Sequence, residues 1–283
     1  MLILKTISDA RAWRDSVGLE QKSIGFVPTM GALHPGHISL IRKANRENDL
    51  VACSIFVNPI QFNNREDLEK YPRTLDADIR HLEEVACDVL FAPTASEMYP
   101  EQDIINDKYN FGHLDKVLEG KYRPGHFNGV AVVVRKLFEF IQPHRAYFGM
   151  KDYQQLKIVE ALVKYHKMPI DVVACPTLRE KDGLAMSSRN VRLTHHERSI
   201  APVIHRVLLE IKEKIGHLTP KGAQIWGANQ LNKYAEIQVE YLQIVGADDL
   251  LPIETWDEKK SVVVLVAAYL GKVRLIDNMI IKL

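Results

Sequence analysis

Between residues 23 and 177, short apolar runs alternate with longer segments whose apolar residues recur at helical spacing. Helical periodicity begins near Gly36, Leu75, Gly129 and Asp152. The runs rich in β-branched residues predict five strands, which are SIGFVPT, DLVACSIFVN, DVLFAPT, RAYFGM and DVVACPT. Strands that alternate with helices in this way predict a Rossmann-like α/β fold, in which a parallel sheet carries helices on both faces.

The pattern changes after about residue 177, where the polar stretch LREKDGLAMSSRN begins. A long helix is predicted from Thr194 to about Gly216, and a second helical segment from Lys221. Two β-rich stretches follow, IQVEYLQIV and SVVVLVAAYL, and RLIDNMIIKL closes the chain. We expect residues 1–177 to form the larger domain, and residues 178–283 to form a smaller α+β domain that closes over a functional site.

The overall composition limits what such a protein binds. The 37 lysine and arginine residues almost balance the 36 aspartate and glutamate residues, so the chain lacks the field that would make a nucleic acid or an anionic membrane its main partner. No stretch approaches the roughly 18 apolar residues of a membrane span. We therefore expect a cytoplasmic protein that binds small molecules, with no nucleic-acid partner and no membrane partner.

The three cysteines agree with that expectation. Cys53, Cys87 and Cys175 each lie in or beside an apolar stretch, and none belongs to a CxxC pair. This usage is typical of reduced packing residues in a cytosolic protein.

The residues that follow each predicted strand are the first place to look for chemistry, because open α/β sheets bind ligands beyond the carboxyl ends of their strands. The segment PTMGALHPGH sets His34 and His37 three residues apart. They could bind a metal, or be one exposed and one buried loop histidine, but Pro35 and Gly36 indicate a turn and no third ligand lies at a suitable spacing nearby. We favour a phosphate site, in which Gly31 and Gly36 let the backbone approach the anion and both imidazoles donate hydrogen bonds.

A nucleotide also needs its charge neutralised from a second side. The stretch AMSSRN carries two hydroxyls and Arg189, and Lys181 lies upstream. Taken alone, the stretch is about as well explained as a polar loop that caps a helix. Its position just after the predicted sheet favours the phosphate-binding interpretation.

The HPGH and MSSR strings together resemble the two signatures of the HxGH adenylyltransferase superfamily. The longer strings narrow the resemblance to the pantoate–β-alanine ligase family. These strings span residues 28 to 190, in the family's order and at similar spacing: PTMGALHPGH, FVNPIQF, YPRTLDAD, GKYRPGHFNGVAVVV, FGMKDYQQL and LAMSSRN. The C-terminal part of the chain is also similar to that family in length and layout.

This resemblance implies an enzyme that uses ATP and Mg²⁺ to convert pantoate into an enzyme-bound pantoyl adenylate, which β-alanine then converts into pantothenate and AMP. It implies catalytic roles for His37, His34 and Lys151. It implies an ATP site made of Met30, Gly31, Ala32, Leu33, His34, Pro35, Gly36, His37, Gly149, Met150, Lys151, Asp152, Leu178, Met186, Ser187, Ser188 and Arg189. Met150 departs from the family pattern, since many relatives carry an acid or an amide there.

For the other ligands, the resemblance implies that Gln61 and Gln155 bind pantoate, with Asn58 and Met30 as weaker members of that pocket. An amide donates to a carboxylate and accepts from a hydroxyl, and pantoate carries both groups. Asp78 matches the family's Mg²⁺-linked aspartate, and Asp76 could substitute for it or simply favour the start of a helix. The family is typically homodimeric.

Two other functional classes stay open at this point. HxGH alone does not separate a ligase from a nucleotidyltransferase that releases a stable adenylylated product, and only the paired glutamines and the longer strings favour ligation. A non-catalytic nucleotide-binding or RNA-binding module is the other class. The balanced charge argues against RNA, and the intact HPGH and MSSR strings argue against an inactive enzyme.

Overall fold

The computed structural model describes residues 1–18, 22–63, 65–100 and 107–283, which form two compact units. The first unit comprises Met1–Met150 and Gln154–Pro176, and the second comprises Thr177–Leu283 together with the short segment Lys151–Tyr153. The domain limits expected from sequence place that segment in the first domain, whereas here it groups with the second. Nowhere in the described residues is there a helix with the length and apolar character needed to cross a membrane.

The first unit alternates strands and helices along the chain. Its elements are β1 (Leu2–Leu4), α1 (Ile7–Val17), β2 (Ile24–Thr29), α2 (Pro35–Glu47), β3 (Leu50–Ile55), α3 (Arg65–Glu69), α4 (Leu75–Glu84), β4 (Val89–Phe91), α5 (Ala95–Met98), α6 (Glu119–Tyr122), α7 (His126–Ile141), β5 (Arg145–Gly149), α8 (Tyr153–Tyr165) and β6 (Asp171–Cys175). Short 3₁₀ turns at Pro59–Gln61 and Met150–Asp152 follow β3 and β5.

The six strands form one sheet in the order β1-β4-β3-β2-β5-β6, and every described pairing in it is parallel. From β2 the chain continues to β3 and β4 on one side of the sheet, and later to β5 and β6 on the other. The strand order therefore reverses beside the carboxyl end of β2, which is where open α/β sheets bind ligands. The predicted parallel sheet is confirmed, and the HPGH segment follows the strand at its reversal point.

Alternate residues of the central strands pack into two hydrophobic layers, as the period of two in a strand requires. Phe26 of β2 and Phe148 of β5 belong to the layer that includes residues of α1, α7 and α8. Val27 and Tyr147, which are their neighbours in sequence, belong to the layer that includes residues of α2 and α4. Helices on both faces of the sheet, as predicted, are confirmed.

The three cysteines are free thiols buried in the second of these layers. Burial raises the pKa of Cys87 to about 12 and that of Cys175 to about 11, because the thiolate would lose its hydration. They are packing residues, as the sequence indicated.

Two elements at the start of the chain were not predicted. β1 has three residues, and α1 begins after a capping box between Thr6 and Asp9. Farther along, α7 begins at His126 rather than near Gly129, because Gly125, at φ +81°, ends the preceding turn and becomes the N-cap.

The second unit contains α9 (His195–Ile200), α10 (Val203–Glu213), α11 (Pro220–Leu231), β7 (Ile237–Gly246), β8 (Ser261–Leu270) and β9 (Val273–Lys282). The single long helix expected from Thr194 to Gly216 is wrong, because the chain forms two helices there. Pro202 lies at the break, where it supplies no N–H and its ring prevents the first helix from continuing. Thr194 does cap α9, through a capping box with Glu197.

A three-stranded antiparallel sheet in the order β7-β8-β9 completes this unit. The closing stretch RLIDNMIIKL is most of β9 and lies at the edge of the sheet. Apolar residues of α10 and α11 pack on the sheet, among them Leu208, Ile211, Ala223 and Leu231. The predicted α+β character of the smaller domain is confirmed.

Candidate active site

The loop that leaves β2 adopts a conformation that needs glycine. Gly31 has φ +80°, and a Cβ atom there would lie 3.0 Å from Ile55 Cγ2 and 3.1 Å from Asp78 Oδ2. The N–H of Gly31 donates to Thr29 Oγ1 over 3.1 Å. Ala32, the next residue, is also left-handed at φ +50°, which costs free energy for a residue with a side chain.

Asp78, in the first turn of α4, holds this loop in place. Its Oδ2 accepts the N–H of Ala32 over 3.0 Å, and its Oδ1 accepts the N–H of Leu33 over 2.7 Å. The hydroxyl of Thr74 donates to Oδ1 as well, over 3.3 Å. The residue is only 1% exposed, so these charge-assisted bonds form away from water and compensate the strained backbone of Ala32.

The two histidines of HPGH cap the helix that follows. His34 is the N-cap of α2, and its Nδ1 accepts the N–H of Gly36 over 3.1 Å. The Nδ1 of His37 accepts the N–H of His34 over 3.3 Å, and the ring centroids lie 4.0 Å apart. A backbone N–H can only donate, so in each neutral ring the proton sits on Nε2. Both imidazoles therefore carry an Nε2–H donor at the start of a helix, where the backbone dipole also favours an anion.

Three of the residues predicted to bind pantoate lie together in the first unit. Asn58 Nδ2 donates to Gln61 Oε1 over 3.1 Å, and Gln61 Nε2 donates to the sulfur of Met30 over 2.8 Å. Gln61 is 7% exposed. Because its carbonyl oxygen is used by Asn58, the amide presents its NH2 group toward Met30, whose thioether is a weak acceptor.

Two residues that no sequence pattern indicated orient this group. The hydroxyl of Tyr99 donates to Asn58 Oδ1 over 2.8 Å, and His126 Nδ1 lies 2.8 Å from the carbonyl oxygen of Gln61, to which it donates. Burial raises the pKa of Tyr99, so its hydroxyl stays protonated and acts as a donor. At Gly129 a Cβ would lie 2.6 Å from the carbonyl oxygen of Ile60, so only glycine allows α7 this close to the turn of residues 59–61.

Of two neighbouring glutamines in α8, the structure gives one a clear structural role. Gln154 is 2% exposed, accepts the N–H of Glu119 and donates to the carbonyls of Leu114 and Val117. Gln155, the residue predicted to bind pantoate, is only partly buried.

The turn after β5 carries the predicted phosphate ligand Lys151. Asn278 Nδ2 donates to the carbonyl of Lys151 over 2.8 Å, and the Tyr153 hydroxyl donates to the carbonyl of Ala247 over 2.8 Å, so this turn is held within the second unit. Met150 is partly buried and packs against the core of the first unit. Gly149 ends β5, and the side chain of Asp152 is about half exposed.

Residues 178–186 form a β-hairpin that precedes the MSSR string. The N–H of Met186 donates to Leu178 O over 3.0 Å, and that of Glu180 to Leu184 O over 2.8 Å. Ser187 then caps a 3₁₀ turn at Ser188–Arg192 by accepting the N–H of Arg189 over 3.2 Å. The helix-capping alternative for this loop is therefore correct for Ser187, and the hairpin gives the loop a defined position.

The fit of Mg²⁺ can be tested on Asp78. Both of its oxygens already accept hydrogen bonds from the loop or Thr74, and the residue is almost fully buried, so the geometry favours loop positioning over direct metal ligation. Asp76 is exposed on the same turn. Among the described residues, no three or more His, Cys, Asp or Glu side chains are grouped to hold a metal. The metal role of Asp78 stays a prediction.

Comparison with known proteins gives matches along the whole chain. The family model described as pantoate-beta-alanine ligase matches residues 2–280. The pantothenate synthetase of Cytophaga hutchinsonii is 47% identical over 285 residues, with 100% of each chain covered. That of Pseudomonas fluorescens is 48% identical, with 100% of this chain and 99% of the relative covered.

Solved structures agree with the sequence relatives. The crystal structure of pantothenate synthetase from Thermus thermophilus superposes with a TM-score of 0.92 at 44% identity, covering 99% of both chains. The pantoate-beta-alanine ligase of Francisella tularensis, crystallised in complex with Beta-gamma ATP and Beta-alanine, gives a TM-score of 0.83 at 39% identity, covering 99% of this chain and 97% of that one. The chain therefore belongs to the pantoate-beta-alanine ligase family.

Proposed function

We propose that this protein condenses pantoate with β-alanine at the expense of ATP, releasing AMP and pyrophosphate and forming pantothenate through a pantoyl adenylate. The observation that carries the proposal is the pair of Nε2–H donors at the start of α2, beside the reversal point of the parallel sheet. A family match over residues 2–280 supports this choice of reaction.

In the first step, a carboxylate oxygen of pantoate attacks the α-phosphorus of ATP. A new acyl–oxygen–phosphorus link forms, the bond from the α-phosphorus to the bridging oxygen breaks, and pyrophosphate leaves with the electron pair. The nucleophile is already ionised, so this step needs positioning and charge neutralisation rather than a strong base. His34 and His37 donate from Nε2 to phosphate oxygens as negative charge moves to the leaving group.

We assign further positive charge and donors to four more residues. Lys151 and Arg189 neutralise phosphate charge, and the hydroxyls of Ser187 and Ser188 donate hydrogen bonds. The remaining ATP contacts come from the Met30–Leu33 loop, from Gly149 and Asp152, and from Leu178 and Met186. Mg²⁺ accompanies ATP and reduces the charge of its phosphates.

Pantoate binds at the amides of Gln61 and Gln155. The NH2 group of Gln61 exchanges the weak acceptor Met30 for a pantoate oxygen, which is a stronger acceptor. Asn58 keeps the Gln61 amide in the donating orientation.

In the second step, the neutral amine of β-alanine attacks the acyl carbon of the adenylate. The carbon–nitrogen bond forms, the bond from the acyl carbon to the bridging oxygen breaks, AMP leaves, and the extra proton on nitrogen passes to solvent. The expected cytoplasmic location and homodimeric state belong to this proposal and are tested by fractionation of cells and by sedimentation.

The direct test is product analysis of the purified protein. With ATP, Mg²⁺, pantoate and β-alanine, we expect AMP, pyrophosphate and pantothenate in equal amounts, and little AMP when either organic substrate is omitted. ADP in place of AMP would contradict an adenylate. A stable adenylylated pantoate that accumulates despite β-alanine would indicate a nucleotidyltransferase instead.

A further inference from the structure

Two adjacent residues of β9, Asp277 and Asn278, are buried polar groups with 4% and 5% of their surface exposed. Consecutive side chains of a strand point to opposite faces of the sheet. Burying polar groups is costly unless they form hydrogen bonds, so the partners of these two residues indicate what they do.

Asp277 binds Arg179 of the hairpin through two parallel hydrogen bonds. Arg179 Nη1 lies 2.6 Å from Asp277 Oδ2, and Nη2 lies 2.9 Å from Oδ1. The same guanidinium donates to the carbonyl of Gly183 over 3.1 Å, on the other side of the hairpin turn. This bidentate pair therefore fixes both arms of the hairpin to β9.

The hairpin turn also fits closely against α10. Gly183 has φ +94°, and a Cβ atom there would lie 2.4 Å from His205 Nδ1. The turn has no room to shift toward the helix, so the Arg179 anchor and α10 together define where the hairpin, and Ser187 after it, can lie.

Asn278 joins two separate segments of the proposed phosphate site. Its backbone carbonyl accepts a bond from Arg179 Nη2 over 3.2 Å, and its side-chain Nδ2 donates to the carbonyl of Lys151 over 2.8 Å. One residue of a regular strand is therefore a common anchor for the hairpin and for the Lys151 turn.

We propose that Asp277 and Asn278 are positioning residues, which set Lys151 and the Ser187–Arg189 segment at the spacing that ATP phosphates require. The proposal rests on the function proposed above. A displacement of about 1 Å in a reacting group costs about 10²-fold in rate. These two residues therefore affect the chemistry without contacting a substrate.

The test uses pantoate-dependent exchange of labelled pyrophosphate into ATP, without β-alanine, on the full chain. Asn278→Ala removes the bond to Lys151. The paired change Arg179→Met with Asp277→Leu removes the anchor of the hairpin without leaving a buried charge unpaired, which keeps folding intact. For both, we expect kcat/KM for ATP to fall about 10-fold to 100-fold while KM for pantoate changes less than about twofold.

A matched control lies on the same strand. Arg274 Nε on β9 donates to Glu240 Oε2 on β7 over 3.1 Å, and the two side chains are 18% and 15% exposed. Glu240→Gln therefore breaks an ion pair that is similarly buried. We expect that variant to lose thermal stability but to keep wild-type exchange. Wild-type kinetics in Asn278→Ala or in the paired variant would overturn the inference, as would an equal loss in Glu240→Gln. Absence of exchange in the wild-type protein would overturn the proposed function itself.

Discussion

His37 accepts the backbone N–H of His34 at its Nδ1 atom, over 3.3 Å. This bond satisfies a donor at the start of α2 that no carbonyl of the helix can reach. The same ring keeps its proton on Nε2, where it can donate to a ligand. One nitrogen of the imidazole thus stabilises the helix end, and the other serves the proposed chemistry.

His37→Ala should reduce pantoate-dependent pyrophosphate exchange by about 10²–10³-fold, because it removes one preorganised donor to developing negative charge. Loss of the cap should lower the free energy of unfolding by only about 1 kcal/mol. His144→Ala is a suitable control, because His144 Nδ1 accepts the N–H of Ile24 over 2.9 Å in the same unit. That variant should lose stability and retain exchange. If His37→Ala exchanged at the wild-type rate, the histidine would only cap the helix.

Asp78→Asn should raise KM for ATP about 10-fold, because the NH2 group of the new amide would face a backbone N–H of the Ala32–Leu33 loop and leave that buried donor unsatisfied. Since the Asp78 oxygens bind the loop, the Mg²⁺ concentration that gives half-maximal exchange should not change. A magnesium titration of the variant measures this directly. Asp76→Asn, on the exposed side of the same turn, should behave as wild type in both respects. An increased Mg²⁺ requirement confined to Asp78→Asn would instead establish metal ligation.

Tyr99→Phe should weaken pantoate binding roughly fivefold, since a buried hydrogen bond of about 1 kcal/mol then no longer fixes the Asn58 amide that orients Gln61. KM for ATP should stay unchanged. The comparison variant is Tyr109→Phe, which removes a hydroxyl 3.2 Å from His166 Nε2 elsewhere in the unit. The measurement is steady-state kinetics with each substrate varied in turn. An equal rise in KM for pantoate in both variants would contradict the prediction.

Gln155→Ala should raise KM for pantoate more than KM for ATP, by an amount that corresponds to about 1–3 kcal/mol for a lost ligand hydrogen bond. The neighbouring glutamine, Gln154, provides the control variant. Gln154→Ala breaks three hydrogen bonds to residues 114–119 and should mainly lower the melting temperature. Unchanged pantoate kinetics in Gln155→Ala would remove this residue from the substrate pocket.

The sequence predicted the parts of the fold that depend on local pattern. Apolar runs located the five strands from Ile24 to Cys175, including the three-residue β4, which lies within the longer stretch DVLFAPT. β1 was not predicted because its three residues are followed directly by Lys5 and the start of α1. The break at Pro202 could have been predicted, since proline inside a helical pattern removes a donor and obstructs the preceding turn.

Local sequence patterns could not predict contacts between residues that lie far apart along the chain. Tyr99 reaches Asn58 across 41 residues, and Arg179 reaches Asp277 across 98. Asp78 shows a different limit, because a carboxylate in a family motif has the same sequence signal whether it binds a metal or two backbone amides. The hydrogen-bond partners of Asp78 favour loop positioning, and the magnesium titration tests whether it also binds the metal.

The grouping of Lys151–Tyr153 with Thr177–Leu283 makes the second unit discontinuous along the chain. A fragment of residues 177–283 would lack the Lys151 carbonyl that Asn278 binds and the Tyr153 hydroxyl that Ala247 binds. Chimeras that exchange the C-terminal part of the chain between relatives at residue 176 would transfer Arg189 but leave Lys151 behind. Both bonds end on backbone carbonyls, so such hybrids keep them only when one parent supplies the Tyr153 side chain and the other supplies the Asn278 side chain.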